Sequence, residues 1–189
     1  MTLSISNYFC PVVGFCAYSG TGKTTLLTQL IPLIKAKGIR VAIIKHAHHQ
    51  LELDQPGKDS YRMREAGADQ VLLMSAKVCA LTWQGDTAPE EASLTRALSM
   101  LTPHSVDLVI VEGFKHESYP KIEIHRPALG NPLLHLTDPD MIAVVSDEMI
   151  ESILPVLDLN QPEQIVEFVM DYFGLAEKAS SNWVSKSNK

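Results

Sequence analysis

Ala17-Tyr18-Ser19-Gly20-Thr21-Gly22-Lys23-Thr24-Thr25 is the stretch whose residue types and spacing most clearly serve chemistry. It fits a phosphate-binding loop, G-x-x-x-x-G-K-[ST], except that Ala17 stands in the first glycine position. Gly20 and Gly22 admit backbone conformations closed to other residues and let the main chain approach an anion. Successive amides then converge as an anion nest. The free N–H groups that open the following helix add the positive end of its dipole. Lys23 is placed to reach the β- and γ-phosphates of a nucleotide, and Thr24 to offer its hydroxyl to Mg²⁺. Ser19, Gly20, Thr21, Gly22, Lys23, Thr24 and Thr25 are therefore the candidate ligands of a nucleoside triphosphate.

Carboxylates complete such a site. Glu112 ends the apolar run Val106–Val111. A buried strand of that kind beside the loop-bearing strand delivers its carboxylate to the magnesium, usually through water. Asp107, at the start of the same run, lies too far away. Asp54 sits in the polar loop between His46 and Asp59, where it is a candidate to touch the metal or position a water, while Asp59 reads as a helix cap. Lys23, Glu112 and Asp54 are thus the candidate catalytic residues, and Thr24, Glu112 and Asp54 the candidate metal ligands. His46, His48 and His49 look like ligands too, but nothing nearby completes a His/Cys shell at the usual spacing. Their reading is a solvated or phosphate-facing role. Cys10, Cys16 and Cys79 form no C-x-x-C pair, and Cys16 and Cys79 lie in apolar runs where a thiol acts as a small hydrophobe.

The elements that must hold these residues follow from periodicity. Val12–Ala17 is a compact apolar strand. Lys23–Lys37 carries Leu26, Leu27, Leu30, Ile31 and Ile34 at helical spacing, kinked at Pro32 and closed by Gly38. Arg40–Lys45 returns as a strand, so this unit is strand–helix–strand with parallel strands. A short helix to Ala66, a hairpin of Gln70–Ala76 with Val78–Trp83, and a helix Pro89–Leu101 come next. Strands are expected at Val106–Val111, Lys121–His125 and Met141–Val145, and a closing helix at Glu163–Phe173. The alternation implies an α/β, three-layer P-loop NTPase fold, its sheet mostly parallel with a short antiparallel hairpin. Residues 1–176 read as the nucleotide-binding domain and 177–189, rich in Ser, Asn and Lys, as a mobile tail.

Bulk properties exclude other classes. The 189 residues are 46% hydrophobic and 20% charged, with a formal net charge of -6. That balance disfavours nucleic acid and anionic membrane as partners. No apolar run approaches the roughly 20 residues of a membrane helix. The N-terminus lacks the basic-then-apolar order of a signal peptide, so the cytoplasm is the expected compartment.

Several stretches together resemble the molybdopterin-guanine dinucleotide biosynthesis protein B (MobB) family. They are Ser19–Leu27, Lys45-His46 with His48-His49, Asp54 followed by Pro56-Gly57-Lys58-Asp59-Ser60, Arg64–Ala68, and Val111-Glu112-Gly113-Phe114-Lys115. The likeness runs in order from Val12 to Asp147. It implies a GTP-binding adapter with weak GTPase activity in molybdenum cofactor biosynthesis. It further implies a homodimer acting beside the nucleotidyltransferase that joins GMP to molybdopterin, with molybdopterin itself a candidate ligand. GTP and Mg²⁺ are the implied cofactors. No Asn-Lys-x-Asp guanine motif is present; Asp147, after the last strand, is the substitute, a carboxylate able to accept from guanine N1 and N2. Lys45, Lys58, Arg62, Arg64 and Lys115 are the basic residues that could meet a phosphate, with Arg64 read as solvated. A small-molecule kinase and a metallochaperone GTPase are the alternatives. The kinase reading lacks an arginine-rich lid and the metallochaperone reading lacks a cysteine motif. With no arginine finger and no water-orienting glutamine evident in the sequence, slow hydrolysis is expected.

Overall fold

A computed structural model describes residues 5, 8–46, 55–83 and 93–176. The chain divides into two compact units, 1–46 with 94–189, and 47–93. The expected tail at 177–189, the start of the helix expected from Pro89, and Asp54, His48 and His49 lie outside the described residues.

The first unit is built on a six-stranded sheet. Its strands are β1 (Val12–Cys16), β2 (Val41–Lys45), β5 (Leu108–Glu112), β6 (Lys121–His125), β7 (Met141–Ser146) and β8 (Val156–Asp158). Their order is β2-β5-β1-β6-β7-β8, with every pairing parallel. Parallel strands are covered on both faces, which is why β1 and β5 are nearly continuous apolar runs. On one face α1 (Lys23–Ala36) and α4 (Pro162–Tyr172) bury Leu26, Leu30, Ile34, Ile165 and Val169 against Val13, Phe15, Ile124 and Val145. On the other, α3 (Leu94–Ser99) sets Leu94 and Leu98 against Val12, Val109 and Val111. Helix, sheet and helix give the three layers that the alternating sequence implies. Helix α1 runs on through Pro32, which is exposed, and Gly38 (φ 81°) closes it by donating to Lys35 O.

Strand β6 departs from its pattern. Lys121-Ile122-Glu123-Ile124-His125 alternates polar and apolar residues, which ordinarily marks a strand with one face in water. All five are buried. Strand β8, three residues after Pro155, carries no periodicity to find it by.

The second unit contains α2 (Asp59–Glu65) and the hairpin β3 (Gln70–Met74) with β4 (Cys79–Trp83). The hairpin is antiparallel, from Gln70↔Trp83 to Met74↔Cys79. Ser75 closes its turn, its N–H donating to Val78 O at 2.8 Å. Neither Asp59 nor Ser60 caps α2. Lys58 holds the cap position, no side chain bonds there, and Asp59 lies in the first turn instead. Cys79 is exposed, so the reading of it as a buried small hydrophobe is corrected. Arg64 is not simply solvated: its guanidinium lies over Tyr61, 5.1 Å from the ring centre, and its Nε is buried.

Candidate functional site

Parallel strands place their carboxyl ends on one edge, and binding sites of open α/β sheets lie there. Here that edge collects Cys16, Lys45, Glu112, His125 and Ser146, with the glycine loop leaving β1.

The loop has the backbone that anion binding requires. Gly20 and Gly22 take φ of 80° and 98°, a region that favours glycine. Gly22 caps α1, no side chain bonds the cap, and no acidic residue occupies the first turn. The first-turn N–H groups of this 14-residue helix therefore remain available to an anion. Thr21 is buried and its hydroxyl donates to Tyr18 O at 2.8 Å, which ties the loop to itself. Ser19, Thr24 and Thr25 are exposed.

Glu112 arrives beside this loop because β5 pairs with β1 on one side and β2 on the other. The register sets Glu112 opposite both Phe15 and Lys45. Its Oε1 lies 3.6 Å from Lys23 Nζ and 3.3 Å from Lys45 Nζ. Two cations around one carboxylate leave a net positive charge, which suits a polyphosphate. A carboxylate and a free threonine hydroxyl are hard oxygen donors, the kind Mg²⁺ takes while keeping several waters. Among the described residues no three His, Cys, Asp or Glu side chains converge as a metal cage. His46 packs instead, its ring 4.6 Å from Phe114 and stacked on it, and its N–H donates to Glu112 O at 2.8 Å.

The chain then turns sharply. Gly113 has φ 98° and a Cβ there would stand 2.6 Å from His46 Cβ, so both conformation and space demand glycine. Phe114 follows at φ 50°, a left-handed conformation uncommon for a large side chain. The segment is held from below by Lys121, whose Nζ donates to Glu117 O (2.8 Å) and Lys115 O (3.1 Å) and pairs with Asp138 (2.8 Å). Tyr119 Oη donates to Gly113 O at 3.0 Å. Tyr119 and Lys121 both crowd Gly14 of β1: a Cβ there would meet each at 2.8 Å. Burial pushes the Cys16 thiol up to about 11, partly countered by Lys121, and burial also raises the Tyr119 hydroxyl.

Arg126, unremarked in the sequence, is the main addition. It follows β6, donates from Nε to Thr21 O at 2.9 Å, and pairs through a terminal nitrogen with Asp147 Oδ2. Its segment is fixed by Glu123, buried in β6, which accepts from the amides of Leu134 (2.7 Å) and His135 (2.9 Å) and bonds His135 Nδ1 (2.8 Å). The structure thus brings Lys23, Glu112 and the loop together and joins Asp147 to them through Arg126. Asp107 belongs elsewhere, accepting from Arg40 on Oδ1 and Oδ2 at 2.8 Å each. Lys45 joins the site and Lys115 lies exposed beyond Gly113.

Comparison with known proteins gives the family and the fold. The family model described as molybdopterin guanine dinucleotide synthesis protein B matches residues 12–147. A molybdopterin-guanine dinucleotide biosynthesis adapter protein of Escherichia coli (strain K12) is 42% identical over 163 residues, covering 86% of this chain and 93% of that protein. A protein of the same description from Haemophilus influenzae is 41% identical over 166 residues, covering 88% and 91%. The crystal structure of Bacillus subtilis MobB superimposes with a TM-score of 0.69 at 26% identity, covering 86% of this chain and 98% of that one.

Proposed function

The chain belongs to the MobB family, and on that premise we propose that it is a GTP-binding adapter in molybdenum cofactor biosynthesis, a weak GTPase serving the nucleotidyltransferase that attaches a guanine nucleotide to molybdopterin. The observation that carries the reading is the uncapped start of α1 behind Gly22, with Lys23 and Glu112 beside it. Bare amides, a dipole and a lysine recognise the phosphates. Thr24 by its hydroxyl and Glu112 and Asp54 by their carboxylates are the residues that would hold Mg²⁺. When bound, the metal would supply charge neutralisation on the β- and γ-phosphates. Asp147 accepts from the guanine edge.

Weak turnover follows from how Arg126 is used. Its guanidinium is bonded to a main-chain carbonyl and a carboxylate rather than directed at a phosphate. Without the charge an arginine supplies to the transition-state oxygens, rates fall by roughly 10³ to 10⁵. The hairpin supports a homodimer: Leu72 and Leu73 point to opposite faces and are both exposed, as are Met74, Val78 and Leu81. Among the described residues no helix is long and apolar enough to cross a membrane, which is compatible with a cytoplasmic adapter.

Equilibrium titration with Mg²⁺-GTP tests the reading. Wild type should bind GTP in preference to ATP, and Lys23→Ala should bind neither while melting like wild type without nucleotide. Undiminished GTP affinity in Lys23→Ala would overturn the assignment.

A further inference from the structure

Arg126 bridges two places that the sequence keeps apart. One nitrogen holds the carbonyl of Thr21 in the phosphate loop and another holds Asp147 Oδ2. Its NH2 group lies 3.8 Å from where a Cβ on Gly22 would stand. A phosphate loop turns its amides inward to the anion, so a carbonyl bonded from outside braces the loop without competing for phosphate. The planar fork of a guanidinium can serve both acceptors at once, as an ammonium cannot.

Asp147 is left half satisfied. Its Oδ1 is buried and has no hydrogen-bond partner among the described residues. Buried acceptors are almost always paired, so an orphan marks a place where a donor belongs. Arg126 also borders a cleft between the start of α1 and the end of β8. Leu26 and Leu159 give that cleft apolar walls, and Gln29 and Asn160 give it polar ones. Apolar walls with a few polar groups suit a flat heterocycle. Guanine presents N1–H and N2–H donors side by side, whereas adenine presents an acceptor at N1.

We propose that Arg126 is a positioning residue for base selection: it borders the cleft, fixes Asp147 by one oxygen and leaves the other for the donor edge of guanine. This rests on the reading of the loop as a GTP site. Because the same guanidinium braces Thr21, the base-reading carboxylate and the phosphate loop are set by one side chain. A carboxylate has about four acceptor positions, and Arg126 uses one of them.

The test compares GTP, ATP and inorganic tripolyphosphate on the full chain with Mg²⁺, for wild type, Arg126→Gln and Arg126→Lys. In both variants the GTP-to-ATP affinity ratio should fall by about tenfold or more, as expected when a polar discriminator is lost. Tripolyphosphate affinity reports the brace on Thr21 alone: it should fall by the same factor as ATP affinity, and by at least about tenfold less than GTP affinity. An unchanged ratio, or equal weakening of GTP and ATP, overturns the role of Arg126. A wild-type chain indifferent to the base removes the guanine reading itself, and the inference with it. If Arg126→Gln does not fold, Arg126→Lys decides the matter alone, since it keeps the charge and loses the fork.

Discussion

Replacing Lys121 by methionine probes how the segment after Glu112 is held. The Lys121 side chain is 2% exposed, and its ammonium meets Asp138 at 2.8 Å with two main-chain carbonyls at 2.8 and 3.1 Å. Hydrogen bonds to a charged group contribute about 1.5–3 kcal/mol each. Methionine keeps the stem that packs against Gly14 and Tyr119, and Asp138, 20% exposed, partly rehydrates. The net loss should therefore fall near the low end of one-sided removal from a buried ion pair, about 3 kcal/mol. For a chain of this size that lowers Tm by roughly 6–12 °C. Urea unfolding followed by circular dichroism measures it directly. The double variant Lys121→Met with Asp138→Asn should recover about 1 kcal/mol, because the stranded carboxylate is then gone. A single-variant loss below about 1 kcal/mol would refute the argument that this ammonium organises the segment.

Glu112→Gln should slow single-turnover GTP hydrolysis more than it weakens GTP binding, because amide and carboxylate share a shape but not a charge; an equal loss in both, read by rapid quench and titration, would make Glu112 structural. The thiols should separate sharply at pH 8. Cys79, exposed, reacts with an alkylating reagent at once, while Cys16, buried and pushed up to about 11, holds about one thiolate in a thousand; mass spectrometry showing Cys16 modified first would contradict the structure. The same shift predicts alkaline destabilisation. The unfolded chain releases the Cys16 proton first, so the contribution is whole below the ordinary value of 9.0 and fades as pH climbs towards about 11. Cys16→Ala should flatten that part of the stability profile.

What the sequence discloses is what acts locally. The glycine loop is legible because left-handed backbone and close anion approach demand glycine at fixed places, and Gly20 and Gly22 both adopt positive φ. Strands β1, β5 and β7 are legible because burial on both faces demands unbroken apolar runs. Glu112 is legible by its position at the end of one of them. The remaining features depend on distant partners. Arg126 is one of many basic residues until Thr21 and Asp147, 105 and 21 positions away, are seen to flank it. Lys121 and Glu123 look like the wet side of a strand because their acceptors and donors come from loops at 115–117 and 134–138. Asp59 reads as a cap from residue type alone, but Lys58 already holds the extended conformation of that position. Cys79 and its apolar neighbours look like core because composition does not say what, if anything, lies against a hairpin.

The sheet order carries a lesson about how such a chain comes into being. β1 and β2 share no ladder; β5, made more than sixty residues later, lies between them. A nascent polypeptide that has emerged only as far as β2 therefore has two parallel strands and no neighbour to join them. Synthesis must reach Glu112 before Lys23 and Lys45 acquire the carboxylate they share, so the birth of the nucleotide cradle waits on the middle of the message rather than its start.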